Sequence, residues 1–351
     1  MDRTTIIAWA CAAMVAGAAI PARADVFNMT GAGTTNLEFV TVGNAGNVPD
    51  TATGHGAVNY SYAIGKYEVT AAQYCEFLNA KAKSDPYGLY NTLMVSEYGC
   101  RIERIGMPGF YDYSIALDRQ DRPVNYVGFW DACRFVNWLT NGQGDGDTED
   151  GSYFLNGYND PDGATITRKM DAVYALPTED EWYKAAYHKN DGVTDHYWTY
   201  PTQSHGAPTA VAPPGTTEPP GSANYYTMAF VDQVYYMTEV GAYTLSPGAY
   251  DTFDQGGNVW EWNEEVVDPE PGVAARQMRG GSFGQFVTDL PRTASFSEYP
   301  SSQYEDEVFG FRIVRIPEPA MMSVLLVGAV MMLRRRILQM SLSIPSERSC
   351  K

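Results

Sequence analysis

Three short stretches of this chain carry helical periodicity, and two of them mark their own first turn. Thr70-Ala71-Ala72-Gln73 is a capping box: the Thr70 hydroxyl satisfies an orphan N–H and Gln73 reaches back. Tyr74, Phe77 and Leu78 then share one face. Residues 128–139, GFWDACRFVNWL, place Ala132, Phe135, Val136 and Leu139 on one face. Thr178 to Glu181 make a second capping box, with Trp182, Ala185 and Ala186 behind it. Elsewhere, short β-rich runs alternate with Gly, Asn, Asp and Pro turns, as in Leu37–Val42, Tyr60–Ile64 and Phe309–Val314. If extended, Gly257–Trp262 sets Trp260 and Trp262 on one face and Val259 and Glu261 on the other. Residues 201–222 are rich in Pro, Gly and Thr and read as a long surface loop. The expected class is α+β, with few helices and much irregular backbone.

Both ends of the 351 residues read as addresses rather than fold. Arg3, an apolar run from Ile6 to Ile20 and Ala22-Arg23-Ala24 make residues 1–24 a signal peptide cut before Asp25. The alternative is an N-terminal anchor, for which the run is short. At the other end Pro317-Glu318-Pro319 precede an apolar run, Ala320–Leu333, and then Arg334-Arg335-Arg336. These three parts in this order resemble the bacterial PEP-CTERM sorting signal. The resemblance implies an exosortase-type processing enzyme as partner and membrane attachment through the C-terminal helix before processing. It also implies delivery to the cell envelope or extracellular matrix. The alternative is an ordinary C-terminal helix with basic flanks; on either reading the arginines stay cytoplasmic. The tail at 337–351 departs from that pattern. The expected organisation is a leader (1–24), one domain (25–316), the sorting signal (317–336) and a cytoplasmic tail (337–351).

The domain of about 290 residues can bury a sizeable core. The chain carries −18; the leader contributes +1 and the tail after Leu333 +4, so the exported part carries −23. That argues against nucleic acid and suits a domain that binds cations. Cys75, Cys100 and Cys133 are an odd number; one disulfide is permitted, and its pairing stays open. Cys75 and Cys133 sit within helical stretches and read as buried structural thiols. His55, His188, His196 and His205 form no helical metal pair and read as surface residues. Asp145–Gly151 starts like an EF-hand loop, but Asp150 replaces the required glycine and Asn156 the bidentate glutamate, so a solvated loop is expected. Asp289 and Glu298 read as single carboxylates without a partner.

Six segments in order, KYEVTAAQYCEFLNA (66–80), RPVNYVGFWDACRFVNWL (122–139), YALPTEDEWYKAA (174–186), FDQGGNVWEWNEE (253–265), RQMRGGSF (276–283) and GFRIV (310–314), resemble the sulfatase-modifying factor, or formylglycine-generating enzyme, family. The resemblance covers about residues 36–315. It implies an irregular fold related to C-type lectins. It places a structural calcium at Asp254, Gly257, Val259 and Glu261, and a second at Asn224, Tyr225 and Asp232. Carboxylate and carbonyl oxygens suit that hard ion. It gives Arg279 and Arg312 buried ion pairs, and makes Gly280 and Gly281 the turn that leads, in catalytic members, to two copper-binding cysteines. Residues 284–292 contain no cysteine. Copper(I) needs soft thiolates, so copper is not expected and no catalytic residue is assigned. Two functions stay open: a calcium-stabilised binding or structural module, or a metal-dependent oxidoreductase with altered chemistry. For the first, Trp198, Tyr225, Tyr226, Tyr235 and Tyr236 are candidates to meet a glycan or a protein.

Overall fold

The computed structural model describes residues 25–26, 36–157, 163–216, 220–270, 273–296 and 303–317. The leader, Glu298, Glu318, Pro319, the apolar run and Arg334, Arg335 and Arg336 lie outside the described residues. No helix among the described residues is long and apolar enough to cross a membrane.

Three α-helices appear among the described residues: α1 (Ala71–Lys81), α2 (Phe129–Thr140) and α3 (Glu179–Tyr187). Both threonine capping boxes form. Thr70 accepts from the Gln73 N–H, and Thr178 from the Glu181 N–H. At α2 the cap is inverted: Gly128 has no side chain to offer, and Asp131 takes the Gly128 N–H at 2.8 Å.

The strands are mostly short. Preceded by a two-residue pair, β1 (Asp25–Val26) with β2 (Asn36–Leu37), the first sheet holds β3 (Phe39–Val42), β4 (Tyr62–Gly65), β11 (Val314–Arg315) and β7 (Tyr174–Ala175), in the order β3-β4-β11-β7. The second has the order β10-β8-β9, with β8 (Trp260–Glu270) antiparallel to β9 (Val273–Arg279) and parallel to β10 (Phe309–Gly310). A hairpin of β5 (Ile102–Ile105) and β6 (Asp112–Ile115) stands apart.

The expected single strand at Phe309–Val314 is instead two strand ends in different sheets. Phe311 and Ile313 give their carbonyls to the Val69 and Gly65 N–H groups, at 2.9 and 2.8 Å. The segment therefore stitches the two sheets together. One large apolar core draws on both sheets, and two smaller clusters form around Trp182 and Tyr225. Phe135 packs edge-on to Phe77 and Phe311, and Trp262 meets Phe129 and Phe309. The expected two-faced Gly257–Trp262 run is buried on both faces, because Glu261 points at an arginine rather than at water.

Acids lie close together at the start of α2. Burial pushes the Asp131 carboxyl up to about 7, with Asp85 adding to the rise and Arg134 opposing it. Burial and the nearby Asp131 charge push Glu305, which accepts from Asn91 at 2.6 Å, up to about 8. The folded state therefore holds these protons more tightly than the unfolded one. Stability is present at low pH and is lost as pH rises through about 7 and 8. In Glu305→Gln, unfolding free energy measured by denaturant should fall less steeply from about pH 5 to about pH 8 than in the native chain. An unchanged slope would remove this account.

Candidate functional site: two arginine clamps and an aromatic cavity

Arg312 is wholly buried. Its Nε and Nη2 donate to the two oxygens of Glu261 at 2.5 and 2.6 Å, and its remaining donors reach the carbonyls of Gly65 and Phe253, each at 3.0 Å. Glu261 also accepts from the Trp182 indole at 2.6 Å. Both of its oxygens thus accept hydrogen bonds within the fold.

Beside this pair lie Glu68 and Asp254. Glu68 is 2 % exposed, and neither carboxylate oxygen has a hydrogen-bond partner. Burial first, then the Asp254 charge, drives its carboxyl well above the usual range. Asp254 accepts from the Gly241 N–H at 2.6 Å, and burial raises it to about 6. Glu68, Asp254 and Glu261 against Arg312 leave a surplus of two negative charges if all are ionised.

Gly257 and Val259 are buried next to these acids. Gly257 has φ +88°, and a Cβ there would lie 2.2 Å from the Asn224 carbonyl, so no other residue fits.

Arg279, at the end of β9, forms the second clamp. Its Nε and Nη2 donate to one oxygen of Glu179, and its Nη1 holds the carbonyls of Arg292 and Ala294 at 2.8 and 2.6 Å. The guanidinium fork thereby pins the loop that follows the corner. Gly280 and Gly281 turn that corner with φ of +105° and +75°.

A cavity of about 870 Å³ opens past the corner. Tyr98, Tyr226, Phe230 and Phe283 line one side, and Trp260, Phe296 and Phe309 another. Gln285, Asp289, Ser295, Asp306 and Glu307 supply its polar side chains. Asp289, read from sequence as an isolated carboxylate, is therefore a wall residue. Asn125 fixes two rims: its amide donates to the carbonyls of Tyr98 and Glu307 at 2.7 and 2.6 Å. Sequence reasoning missed Glu68 and Asn125, although both lie inside quoted motifs.

The residues of the second expected calcium set each have contacts within the fold. Asn224 keeps a buried oxygen without a partner, while its amide donates to Asn258 and to the Tyr236 carbonyl. Asp232 caps a turn through the Val234 and Tyr235 N–H groups and pairs with Arg122 at 3.4 Å. Tyr225 is buried against Leu290. Among the described residues no group of three or more acidic, histidine or cysteine side chains converges as a metal site.

The histidines, the acidic loop, the thiols and the aromatic candidates take definite places. His188 is fully buried, with Nδ1 taking the Tyr250 hydroxyl and the Asn190 N–H, so it is not a surface histidine. Glu149 leaves the solvated loop to pair with buried Arg134 at 2.8 Å, while Asp145, Asp147 and Asp150 stay exposed. Cys75, Cys100 and Cys133 are free and buried, and burial raises Cys75 and Cys100 to about 12 and about 11. Of the aromatic candidates, Tyr236 is buried, with its ring 4.5 Å from Tyr98. Trp198 lies under Lys189 and beside His205. Tyr235 covers Arg122, and Tyr226 reaches the cavity.

Removing one partner of a buried pair leaves the other charge stranded. Arg312→Met should cost roughly 3–5 kcal/mol in denaturant unfolding, because Glu261, Glu68 and Asp254 then face one another without a guanidinium. A cost below about 1 kcal/mol would show that the pair does not hold the sheets together.

A sulfatase-modifying factor enzyme 1-like domain model matches residues 29–317. No curated protein matches the chain by sequence. Among solved structures, CarF is 22% identical and superposes with a TM-score of 0.52, covering 80% of this chain and 99% of that one. PvdO from Pseudomonas aeruginosa is 18% identical with a TM-score of 0.46, over 80% and 95% of the two chains. Treponema denticola variable protein 1 is 16% identical with a TM-score of 0.44, over 84% and 99%. The first of these shows a shared fold, and the motif order, the clamps and the family match over most of the length agree with it: the chain belongs to the sulfatase-modifying factor enzyme 1-like family.

Proposed function

We propose that this domain keeps the family scaffold but serves as a binding or structural module, without formylglycine-generating activity. It is exported, sorted to the cell envelope and stabilised by calcium. One observation carries the reading. The cavity past the Gly280–Gly281 corner is walled by Gln285 and Asp289, and none of its lining residues is a cysteine. Copper(I) is held by soft thiolates, and a carboxamide or carboxylate does not replace them. Cys75, Cys100 and Cys133 are buried with thiols raised by desolvation, which disfavours the thiolate a metal needs.

Calcium draws support from the carboxylate surplus. Asp254 and Glu68 together supply hard oxygens where burial penalises uncompensated charge, and a divalent ion matches a surplus of two. The Asn224 oxygen without a partner supports a second position. Export and sorting rest on the leader and on the Pro317-Glu318-Pro319 segment with its apolar run and arginines.

Two measurements test the reading. Incubated with copper, reductant and a peptide bearing a sulfatase-type cysteine, the mature domain should yield no aldehyde by mass spectrometry; aldehyde product refutes the module. Chelation should lower the melting temperature of the native domain, and Glu68→Gln should blunt that response. A melting temperature indifferent to calcium removes the metal from the account.

A further inference from the structure

We propose that the cavity past the Gly280–Gly281 corner receives an organic ammonium group, cradled by aromatic faces and by carboxylates; this rests on reading the domain as a binding module. The rings form two connected walls. Tyr98 lies 6.2 Å from Phe230 and Phe230 6.0 Å from Phe283, while Trp260 lies 5.3 Å from Phe296 and Phe296 5.5 Å from Phe309. Aromatic faces carry negative quadrupole potential, and an alkylated ammonium is the cation they hold best, because it is weakly hydrated.

Charge points the same way. Asp289, Asp306 and Glu307 line the cavity, and among the described residues no lysine or arginine does. Arg279 and Arg292, which flank the corner and its loop, are committed to Glu179 and Asp50. Asp306 and Glu307 are chain neighbours, and burial together with the Glu307 charge raises the Asp306 carboxyl. A cation between the walls relieves that repulsion. An anionic ligand finds no lysine or arginine among the described lining residues, and a purely apolar one leaves the repulsion between Asp306 and Glu307 in place.

Two details narrow the class. Trp260 is 1 % exposed, and its indole N–H has no acceptor. A hydrogen-bond acceptor carried near the ammonium would complete it. Asn125, fully buried, ties the Tyr98 and Glu307 carbonyls together, so the aromatic and acidic rims are held in place before any ligand arrives. An ammonium with a nearby acceptor describes both a free choline-type molecule and a lysine side chain within a peptide.

Isothermal titration of the mature domain with choline, with N-acetyl-lysine amide and with dimethylbutanol, the neutral carbon isostere of choline, tests this. Saturable one-to-one binding of at least one cation is expected, with dimethylbutanol roughly tenfold weaker or worse. Choline alone binding points to a small molecule, and the lysine amide alone to a peptide. The double variant Asp306→Asn/Glu307→Gln should lose roughly tenfold in affinity while keeping its melting temperature. If that variant does not fold, the isostere comparison on the native domain still decides. Binding of neither cation, or equal binding of the neutral isostere, overturns the proposal. Aldehyde formation in the peptide assay would instead refute the module reading, so the two failures are distinguishable.

Discussion

The Arg312–Glu261 pair is the interaction on which the remaining architecture leans. Most strands here are two to four residues long, so backbone ladders alone give little cooperativity. One guanidinium supplies what the ladders lack. It joins β8 to the segment that crosses between the sheets, holds carbonyls from Gly65 and Phe253, and shares its carboxylate with Trp182 of α3. Desolvating such a pair is costly, and only the fully satisfied geometry recovers the cost. Donors reaching three chain segments make that geometry strongly cooperative with the native fold.

Arg279 repeats the device at the corner. Glu179, in the first turn of α3, anchors it, and the loop at Arg292 and Ala294 hangs from its free nitrogen. The cavity then forms where this pinned loop, the Tyr98 loop and the Glu307 segment meet. Its chemistry comes from the side chains that each loop contributes, and family membership alone does not dictate them.

The elements with local signals were legible. Thr70 with Gln73, and Thr178 with Glu181, named two helix starts, because a cap is a contact between residues three apart. The cavity was not legible. Tyr98, Phe230, Phe296 and Glu307 come from widely spaced loops without periodicity, and nothing within any one of them signals the others. Glu68 was hidden for a different reason. In KYEVT it reads as an ordinary polar position before a helix cap, and only the fold brings it to Asp254. His188 looked exposed because it follows α3 beside an acidic turn, yet Tyr250 and Tyr197 close over it.

The clamps have one more consequence. Each arginine grips its loops chiefly by main-chain oxygens, and a carbonyl is the same atom in every amino acid. The gripped loops are therefore anchored independently of their side-chain identities. Substitution along them can alter the display surface without dismantling its mounting, as long as the backbone path is kept. Such a fold separates what must stay constant from what can be rewritten.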